Sequence, residues 1–400
     1  MPNRTARALR GALALVFLLS CVACGTDEGG SASEPSTPES EPRTTEAREE
    51  IATEEPAPKV GRVPASRGPI QVERSVIATG LEVPWGVAFM PDGDAIFTER
   101  DSGRLLRMDA SGNVETVQTL PTRGYGEGGS LGLAVSPRYE RDGYVYAYYT
   151  TGEDNRVVRF RLGEEPEPIL TGIPFNTYHD GGRIAFGPDG MLYVATGDAG
   201  DPATSQDRGS LGGKILRLTP DGGVPQDNPF PGSPVYSYGH RNVEGLAWDE
   251  GGRLYASEFG QDAFDEVNLV RPGENYGWPE FEGDGGEEAE AAGFVNPVTT
   301  WPTSEASPSG AEVLKDGAIP QWEGDLFVAA LRGQRLWRLE LGPDGRVVGR
   351  DELLRYEVGR IRNVMQAPDG SLWVTTSNRD GRGSPAPQDD RIIRLAPEGR

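Results

Sequence analysis

The residues best suited to chemistry in this chain are its two histidines. His179 lies in the segment Tyr-His-Asp-Gly-Gly-Arg and His240 in the segment Gly-His-Arg-Asn. Histidine takes up or releases a proton near neutral pH, so each is a candidate general base. Each could instead be a packed or solvated residue. The neighbouring arginines and glycines, which supply charge and an open approach, favour a chemical role.

Arginines form the second candidate group. Arg241 directly follows His240, Arg332 precedes a glycine, and Arg360 and Arg362 stand two residues apart. Side chains two apart on an extended strand point to the same face. In a chain with a formal net charge of -23, converging arginines suit a small polyanion, because the guanidinium group pairs bidentately with carboxylates. The alternative is pairing with the many surface Asp and Glu residues.

A third candidate is the acidic segment 257–266, Ser-Glu-Phe-Gly-Gln-Asp-Ala-Phe-Asp-Glu. Its carboxylates and backbone carbonyls are the oxygen ligands that calcium prefers. The segment lacks the ligand spacing of an EF-hand, so a solvated acidic turn is the alternative.

The elements that position these residues follow from repetition in the chain. Six units, each a short apolar run, a turn and two further strands, recur at intervals of about 45 to 65 residues, near the period of propeller blades. They begin at Trp85, Leu131, Arg183, Glu244, Ala311 and Asn363. We therefore predict an all-β fold, a six-bladed β-propeller with four-stranded antiparallel blades, in which residues 70–78 close the ring by joining the last blade. A pair of β-sandwiches is the alternative.

The N-terminus has the pattern of a targeting segment. Three arginines precede a short apolar stretch that ends at Cys21 and Cys24, which resembles the lipobox of bacterial lipoproteins. Either cysteine could carry the lipid, and an ordinary secreted protein is the alternative. We predict a signal peptide at 1–24, a disordered Ser/Glu/Pro-rich tether at 25–67 and a propeller domain at 68–400. The protein would be exported and held at the membrane only by the lipid.

Composition excludes two other classes of function. The chain has no cysteine after Cys24, so the domain has neither a disulfide nor thiol chemistry. Its acidic charge argues against nucleic acid and against an anionic membrane surface as partners.

The motifs together resemble the glucose/sorbosone dehydrogenase family of soluble quinoproteins, six-bladed propellers that use pyrroloquinoline quinone (PQQ) and calcium. The resemblance covers nearly all of residues 75–396. It is carried by Gly-Glu-Gly-Gly-Ser-Leu-Gly-Leu-Ala (126–134), His-Asp-Gly-Gly-Arg (179–183), Gly-His-Arg-Asn (239–242), Asp-Glu-Val-Asn-Leu (265–269), Asn-Tyr-Gly-Trp-Pro (275–279), Trp-Pro-Thr (301–303) and Arg-Ile-Arg-Asn-Val (360–364).

The resemblance implies a reaction and the residues that perform it. His179 would take the proton of a sugar's anomeric hydroxyl while hydride passes to PQQ. Arg241 would stabilise the negative charge on the quinone oxygen, with Asn242 beside it and Glu127 at a further cofactor position. The product would be a lactone, and an external acceptor would remove the electrons.

The same resemblance implies the remaining cofactor and substrate contacts. Arg332, Arg360 and Arg362 would bind the three carboxylates of PQQ. Thr303 would also contact the cofactor, and Trp301 would form a wall of the substrate cleft.

Two calcium sites are implied as well. Backbone carbonyls of Gly260 and Gln261 would hold the cofactor's calcium, whose Lewis acidity polarises the quinone. Glu266 and Tyr276 match a second, structural calcium site. His240 would be structural, orienting the loop that carries Arg241.

Three positions depart from the glucose-oxidising subgroup: Tyr178 replaces an Asp that orients the base, Glu127 replaces Gln, and Val298 replaces Tyr. These changes point to the broader aldose-dehydrogenase branch. Two other functions are considered beside this one. A non-catalytic propeller that binds sugar or protein would not need a base and a tricarboxylate clamp. A calcium-dependent lactonase would need Glu, Asn and Asp side chains converging on a metal in the central channel.

Overall fold

A computed structural model describes residues 72–399. The predicted signal peptide, the tether and the first residues of the domain at 68–71 lie outside the described residues, and these predictions are untested. Within the described residues, no helix is long and apolar enough to cross a membrane.

The described residues form six four-stranded antiparallel sheets, which confirms the predicted propeller. Blade 1 consists of β2 (Pro84–Phe89), β3 (Ala95–Glu99), β4 (Arg104–Met108) and β5 (Val114–Thr119), and blade 2 of β6 (Ser130–Val135), β7 (Val145–Thr150), β8 (Asn155–Phe160) and β9 (Glu167–Ile173). Blade 3 consists of β10 (Ile184–Phe186), β11 (Leu192–Ala195), β12 (Lys214–Leu218) and β13 (Val235–Tyr238), and blade 4 of β14 (Val243–Trp248), β15 (Leu254–Glu258), β16 (Phe264–Val270) and β17 (Thr299–Pro302). Blade 5 consists of β18 (Pro308–Val313), β19 (Leu326–Ala330), β20 (Arg335–Leu341) and β21 (Val347–Leu353), and blade 6 of β22 (Ile361–Gln366), β23 (Leu372–Thr376), β24 (Ile392–Pro397) and β1 (Val72–Ala78).

Helices in the described residues are short insertions between strands. They are α1 (Tyr139–Asp142), α2 (Ala203–Gln206), α3 (Gly286–Ala291) and a 3-10 turn (Pro320–Trp322). The α2 insertion joins β11 to β12 and lies beside the site described below.

Ring closure occurs where it was predicted. Strand β1 pairs antiparallel with β24, from Val72 opposite Pro397 to Ala78 opposite Ile392. The first strand of the described chain therefore completes the last blade, and each end of the ring is held by hydrogen bonds to the other.

Local sequence fixes the reversals between inner strands. In the Pro-Asp-Gly turn that follows β2, Gly93 adopts a φ of 93° and donates its N–H to the carbonyl of Met90 at 2.9 Å. A positive φ costs glycine little, because it has no Cβ. The same turn recurs after β10, where Gly190 has a φ of 75°.

The apolar core lies between adjacent blades. One cluster joins blades 6 and 1 through Ala78, Phe97, Met108 and Ile392, and comparable clusters fill the other seams. The inner strands approach closely, since a Cβ on Gly132 would stand 2.1 Å from the carbonyl oxygen of Gly182. Only glycine fits at that contact, and it brings the starts of neighbouring inner strands together.

Two residues that face each other across the closing strands provide a stability test. Val76 and Ile393 are cross-strand partners, but Ile393 is buried and Val76 is 48% exposed. We expect Ile393→Ala to lower the free energy of unfolding by about 2–5 kcal/mol, through lost burial and a residual cavity. Val76→Ala, the matched control, should cost less than about 1 kcal/mol. Denaturant titration measures both, and equal losses would contradict this packing of the closing blade.

Candidate active site

His179 is held in a tight loop immediately before the inner strand β10. It has a φ of 62°, and Gly181 and Gly182 have φ values of 62° and 106°. The His179 N–H donates to the Oε2 of Glu127 at 2.9 Å. A Cβ on Gly181 would come within 2.6 Å of the backbone of Gly197, so glycine is required for the loop to pack against the end of β11. The histidine is thereby presented at the end of the ring where the inner strands begin.

Asp198 orients the His179 imidazole. Its Oδ1 lies 2.7 Å from His179 Nδ1, and its Oδ2 accepts a hydrogen bond from Trp278 Nε1 at 2.9 Å. Burial alone would raise the pKa of Asp198, but hydrogen bonds from His179, Gly200 and Trp278 hold it below its ordinary value. Because the carboxylate is ionised, Nδ1 is the nitrogen that carries the proton. Nε2 is then the basic nitrogen of the neutral ring.

Arg241 is coupled to this base through the backbone. The Asp198 N–H donates to the Arg241 carbonyl at 2.8 Å, and the Arg241 guanidinium lies 5.4 Å from the Trp278 ring centroid. One guanidinium nitrogen donates to the Phe259 carbonyl at 3.3 Å, whereas Nε is buried without a partner among the described residues. Burial lowers the pKa of Arg241. The side chain thus retains an unused donor close to His179.

His240 has the structural position that the sequence predicted. It is fully buried, with Nδ1 2.8 Å from Glu258 Oε2 and Nε2 2.8 Å from Ser237 Oγ, and it stacks on Tyr276. The Arg241 N–H donates to the other oxygen of Glu258. His240 therefore braces the turn that carries Arg241 and does not line the cavity.

His179 and Arg241 line one cavity of about 440 Å³. Its wall is formed by Glu127, Tyr178, His179, Asp198, Gly200, Pro202, Arg241, Phe259, Gly260, Gln261, Trp278 and Arg382. Five residues predicted from the sequence are thus brought together here: Glu127, His179, Arg241, Gly260 and Gln261.

The loop at Gly260 and Gln261 presents carbonyl oxygens. The backbone N–H groups of residues 261–264 all donate to Oε1 of Glu282, at 2.6 to 3.1 Å. In a trans peptide the carbonyl points away from the N–H of the same unit. The carbonyls of Gly260 and Gln261 therefore point away from Glu282, as hard oxygen ligands for a cation. A Cβ at Gly260 would clash with the Phe264 carbonyl at 1.7 Å.

The side chains of Glu266 and Tyr276, predicted for a second calcium site, both have protein hydrogen-bond partners. Glu266 is buried, accepts hydrogen bonds from Asn268 Nδ2 and the Gly283 N–H, and has a pKa raised by burial and by the neighbouring Glu258. The Tyr276 hydroxyl donates to the carbonyl of Leu269. Across residues 72–399, no group of three or more His, Cys, Asp and Glu side chains could hold a metal ion. The predicted second calcium site thus has no ready-made side-chain cluster.

The other arginines lie on the same end of the ring. Arg332 and Arg360 line a second cavity of about 350 Å³, and Arg382 lines both cavities. Arg360 Nε donates to Oδ2 of Asp380 at 2.8 Å, and Arg362 reaches the same oxygen at 3.7 Å. Burial lowers the pKa of Arg360. Arg360 and Arg362 therefore converge on one carboxylate.

Arg362 and Asn242 lie deeper, at the ring axis. Oε2 of Glu244 accepts hydrogen bonds from Arg362 at 2.6 Å and from Ser309 Oγ at 2.7 Å. Asn242 is fully buried, and its Oδ1 accepts the Gly181 N–H at 2.9 Å. Arg362 Nε has no partner among the described residues. Both side chains are buried and line neither of the two cavities.

Trp301 and Thr303, the two predicted residues of the Trp-Pro-Thr segment, lie in different surroundings. Trp301 is fully buried, stacks on Trp337 and lines neither cavity. It belongs to the core between blades 4 and 5, because its place on β17 turns it inward. Thr303 is partly exposed and donates its hydroxyl to the Asp262 carbonyl at 3.3 Å, so it lies beside the loop that contains Gly260 and Gln261.

Four residues of the site were not found from the sequence: Asp198, Trp278, Asp380 and Arg382. Asp198 does the orienting that the Asp replaced by Tyr178 would have done, while Tyr178 packs edge-on against His179. The sequence signal that could have identified Asp198 is its position directly after Gly197, at the start of a long insertion. Asp380 and Arg382 lie in a polar loop between β23 and β24 that carries no recognisable motif.

Asp180 provides a pH-dependent test of the loop. It is 2% exposed, and burial raises its pKa to about 7. A raised carboxyl pKa means that the folded state binds more protons than the unfolded state between pH 3.8 and 7, so its contribution to stability falls as pH rises through that window. The Asp180→Asn variant removes this ionisation. Its stability relative to the parent should therefore increase by up to about 4 kcal/mol between pH 4 and pH 8. Denaturant midpoints at several pH values test this, and a pH-independent difference would contradict it.

Comparisons with known proteins agree with this geometry. The chain is 30% identical over 408 aligned residues to quinoprotein glucose dehydrogenase B of Acinetobacter calcoaceticus, covering 76% of this chain and 85% of that protein. It is 29% identical to aldose sugar dehydrogenase YliI of Escherichia coli, covering 78% and 92%. A solved structure, the PQQ-bound aldose sugar dehydrogenase of Streptomyces coelicolor, is 49% identical with a TM-score of 0.75, covering 82% of this chain and 99% of that chain.

A family model also matches most of the chain. The model described as glucose/sorbosone dehydrogenase matches residues 81–393, which include strands β2 to β23 and both cavities. The protein belongs to the glucose/sorbosone dehydrogenase family.

Proposed function

We propose that the protein is a PQQ- and calcium-dependent dehydrogenase that oxidises an aldose at its anomeric carbon to the lactone. The observation that carries this proposal is the oriented base: His179, with Nδ1 bound to Asp198, shares one cavity with Arg241. Sugar oxidation agrees with the family and with the names of the relatives, one of which is described as PQQ-bound.

The donor set of the site fits PQQ and calcium. The cofactor carries three carboxylates, and Arg332, Arg360 and Arg362 are the guanidinium groups available to them. Unpartnered buried donors remain on Arg241 and Arg362. The carbonyls of Gly260 and Gln261 would hold calcium next to Arg241. Asn242 and Thr303 would contribute around this set. Glu127 lies at the cavity wall, where its carboxylate is paired with Arg382.

The chain's own residues account for the proton transfer. Asp198 holds His179 in the tautomer whose Nε2 can accept the proton of the anomeric hydroxyl, and it stabilises the imidazolium that forms. Arg241 lies where it would stabilise negative charge opposite the base. PQQ, when bound, supplies the acceptor for the hydride of the anomeric C–H bond. The aromatic side chains of Tyr178, Phe259 and Trp278 form part of the cavity wall.

Export and anchoring belong to the same proposal. A lipid-anchored enzyme outside the cytoplasm would meet sugars there and pass its electrons to an external acceptor. The lipobox-like cysteines and the acidic tether support this location.

Trp301 and the Glu266–Tyr276 pair would act on the site only indirectly, through packing.

The role of His179 is tested by separating turnover from cofactor binding. We expect His179→Gln to lower kcat for aldose oxidation by about 10²- to 10⁴-fold, since the general base is lost. PQQ affinity should stay within about threefold, because the arginines are untouched. Asp198→Asn should lower kcat in the same direction, because it no longer fixes the tautomer.

Tyr178→Phe is the matched control, as it keeps the aromatic contact with His179. Dye-linked activity and quenching of tryptophan fluorescence by PQQ measure the two quantities. Near-normal turnover of His179→Gln with bound PQQ would remove His179 from the mechanism.

A further inference from the structure

Arg382 occupies an unusual position, because it is the residue that the two cavities have in common. On one side lies the cavity with His179 and Arg241. On the other side lies the cavity lined by Arg332, Arg360 and Arg391. Arg382 is therefore positioned between the base and the arginines that would hold cofactor carboxylates.

The backbone of Arg382 is fixed, whereas its side chain is lightly held. Its N–H donates to Oδ1 of Asp380 at 2.9 Å, and Oδ2 of that carboxylate binds Arg360 Nε. The side chain is 59% exposed, and its recorded ion pair is with Oε1 of Glu127, at 2.7 Å. Glu127 is 18% exposed and fixed, but the Arg382 end of the pair lies in solvent, so its guanidinium can reorient at little cost.

The ion pair neutralises a negative charge, that of Glu127, at the cavity wall. Its Oε2 accepts the His179 N–H, so the carboxylate is fixed at the cavity wall next to the base. A fixed negative charge there would repel a cofactor with three carboxylates. Arg382 neutralises that charge. The glutamate that replaces the glutamine of the glucose-oxidising subgroup is thus matched by a cation supplied from a distant loop.

We infer that Arg382 is a further cofactor-binding residue, which shares its guanidinium between the Glu127 carboxylate and a carboxylate of PQQ when the cofactor binds. This inference rests on the proposed function. Arg382 lines both the cavity that contains His179 and the cavity that contains Arg360, so a cofactor held by residues of both cavities would lie within reach of it. Among the arginines of the second cavity, Arg360 already pairs with the buried Asp380, whereas the partner of Arg382 stands at the boundary between the cavities.

The test is a PQQ titration of the apo-protein with calcium present, followed by quenching of tryptophan fluorescence and not by activity. We expect Arg382→Gln to weaken PQQ binding by about tenfold or more. Glu127→Gln should instead tighten it several-fold, because it frees the guanidinium and removes the repulsion. Its amide oxygen can still accept the His179 N–H. The double variant should show that the effect of Glu127→Gln is smaller once Arg382 is absent.

Arg346→Gln is the matched control, since it removes the same charge from the exposed β20–β21 turn and should change the affinity by less than twofold. Thermal unfolding of each variant checks that the fold is kept. If the parent protein binds no PQQ, the proposed function fails. If the parent binds PQQ and Arg382→Gln binds as tightly as Arg346→Gln or more tightly, the function stands and the role of Arg382 is overturned.

Discussion

One buried carboxylate, Glu244, links the blades that carry the site. Its Oε2 accepts hydrogen bonds from Arg362 of blade 6 and Ser309 of blade 5, and its backbone carbonyl accepts one from Arg183, at the start of blade 3. A buried charge is tolerated only when it is paired and hydrogen-bonded. The requirement to satisfy Glu244 therefore fixes several inner strands relative to one another at the axis.

His179 and Arg241 are held together by backbone contacts. Gly197 and Asn242 form a β-bridge, and the adjacent Asp198 N–H donates to the Arg241 carbonyl. A Cβ at Gly197 would lie 1.9 Å from the His179 carbonyl, so the two segments approach as closely as backbones can. Lys214, fully buried, donates to three backbone carbonyls of the insertion that follows Asp198. The spacing between base and guanidinium is thus set by backbone contacts, which preorganises the site.

How much the sequence could predict depends on the range of each interaction. The blades and their closure by β1 follow from local patterns, namely short alternating strands and Pro-Asp-Gly turns. The contrast between His179 and His240 followed from resemblance to the family. Asp198 was missed because its contact with His179 depends on the path of an insertion that tertiary hydrogen bonds fix. The Glu127–Arg382 pair joins two loops that only ring closure brings together, and no local pattern encodes it. Trp301 was assigned to the cleft, but the pairing of β17 with β16 turns it into the core.

The central claim is that this cavity holds PQQ and uses it to oxidise an aldose. The most direct measurement is a titration of the purified apo-protein with PQQ and calcium, followed by addition of a panel of aldoses while the quinone spectrum is recorded. We expect saturable PQQ binding and reduction of the bound quinone by at least one sugar. The absence of binding at micromolar PQQ, or of reduction by every sugar tested, would contradict the account.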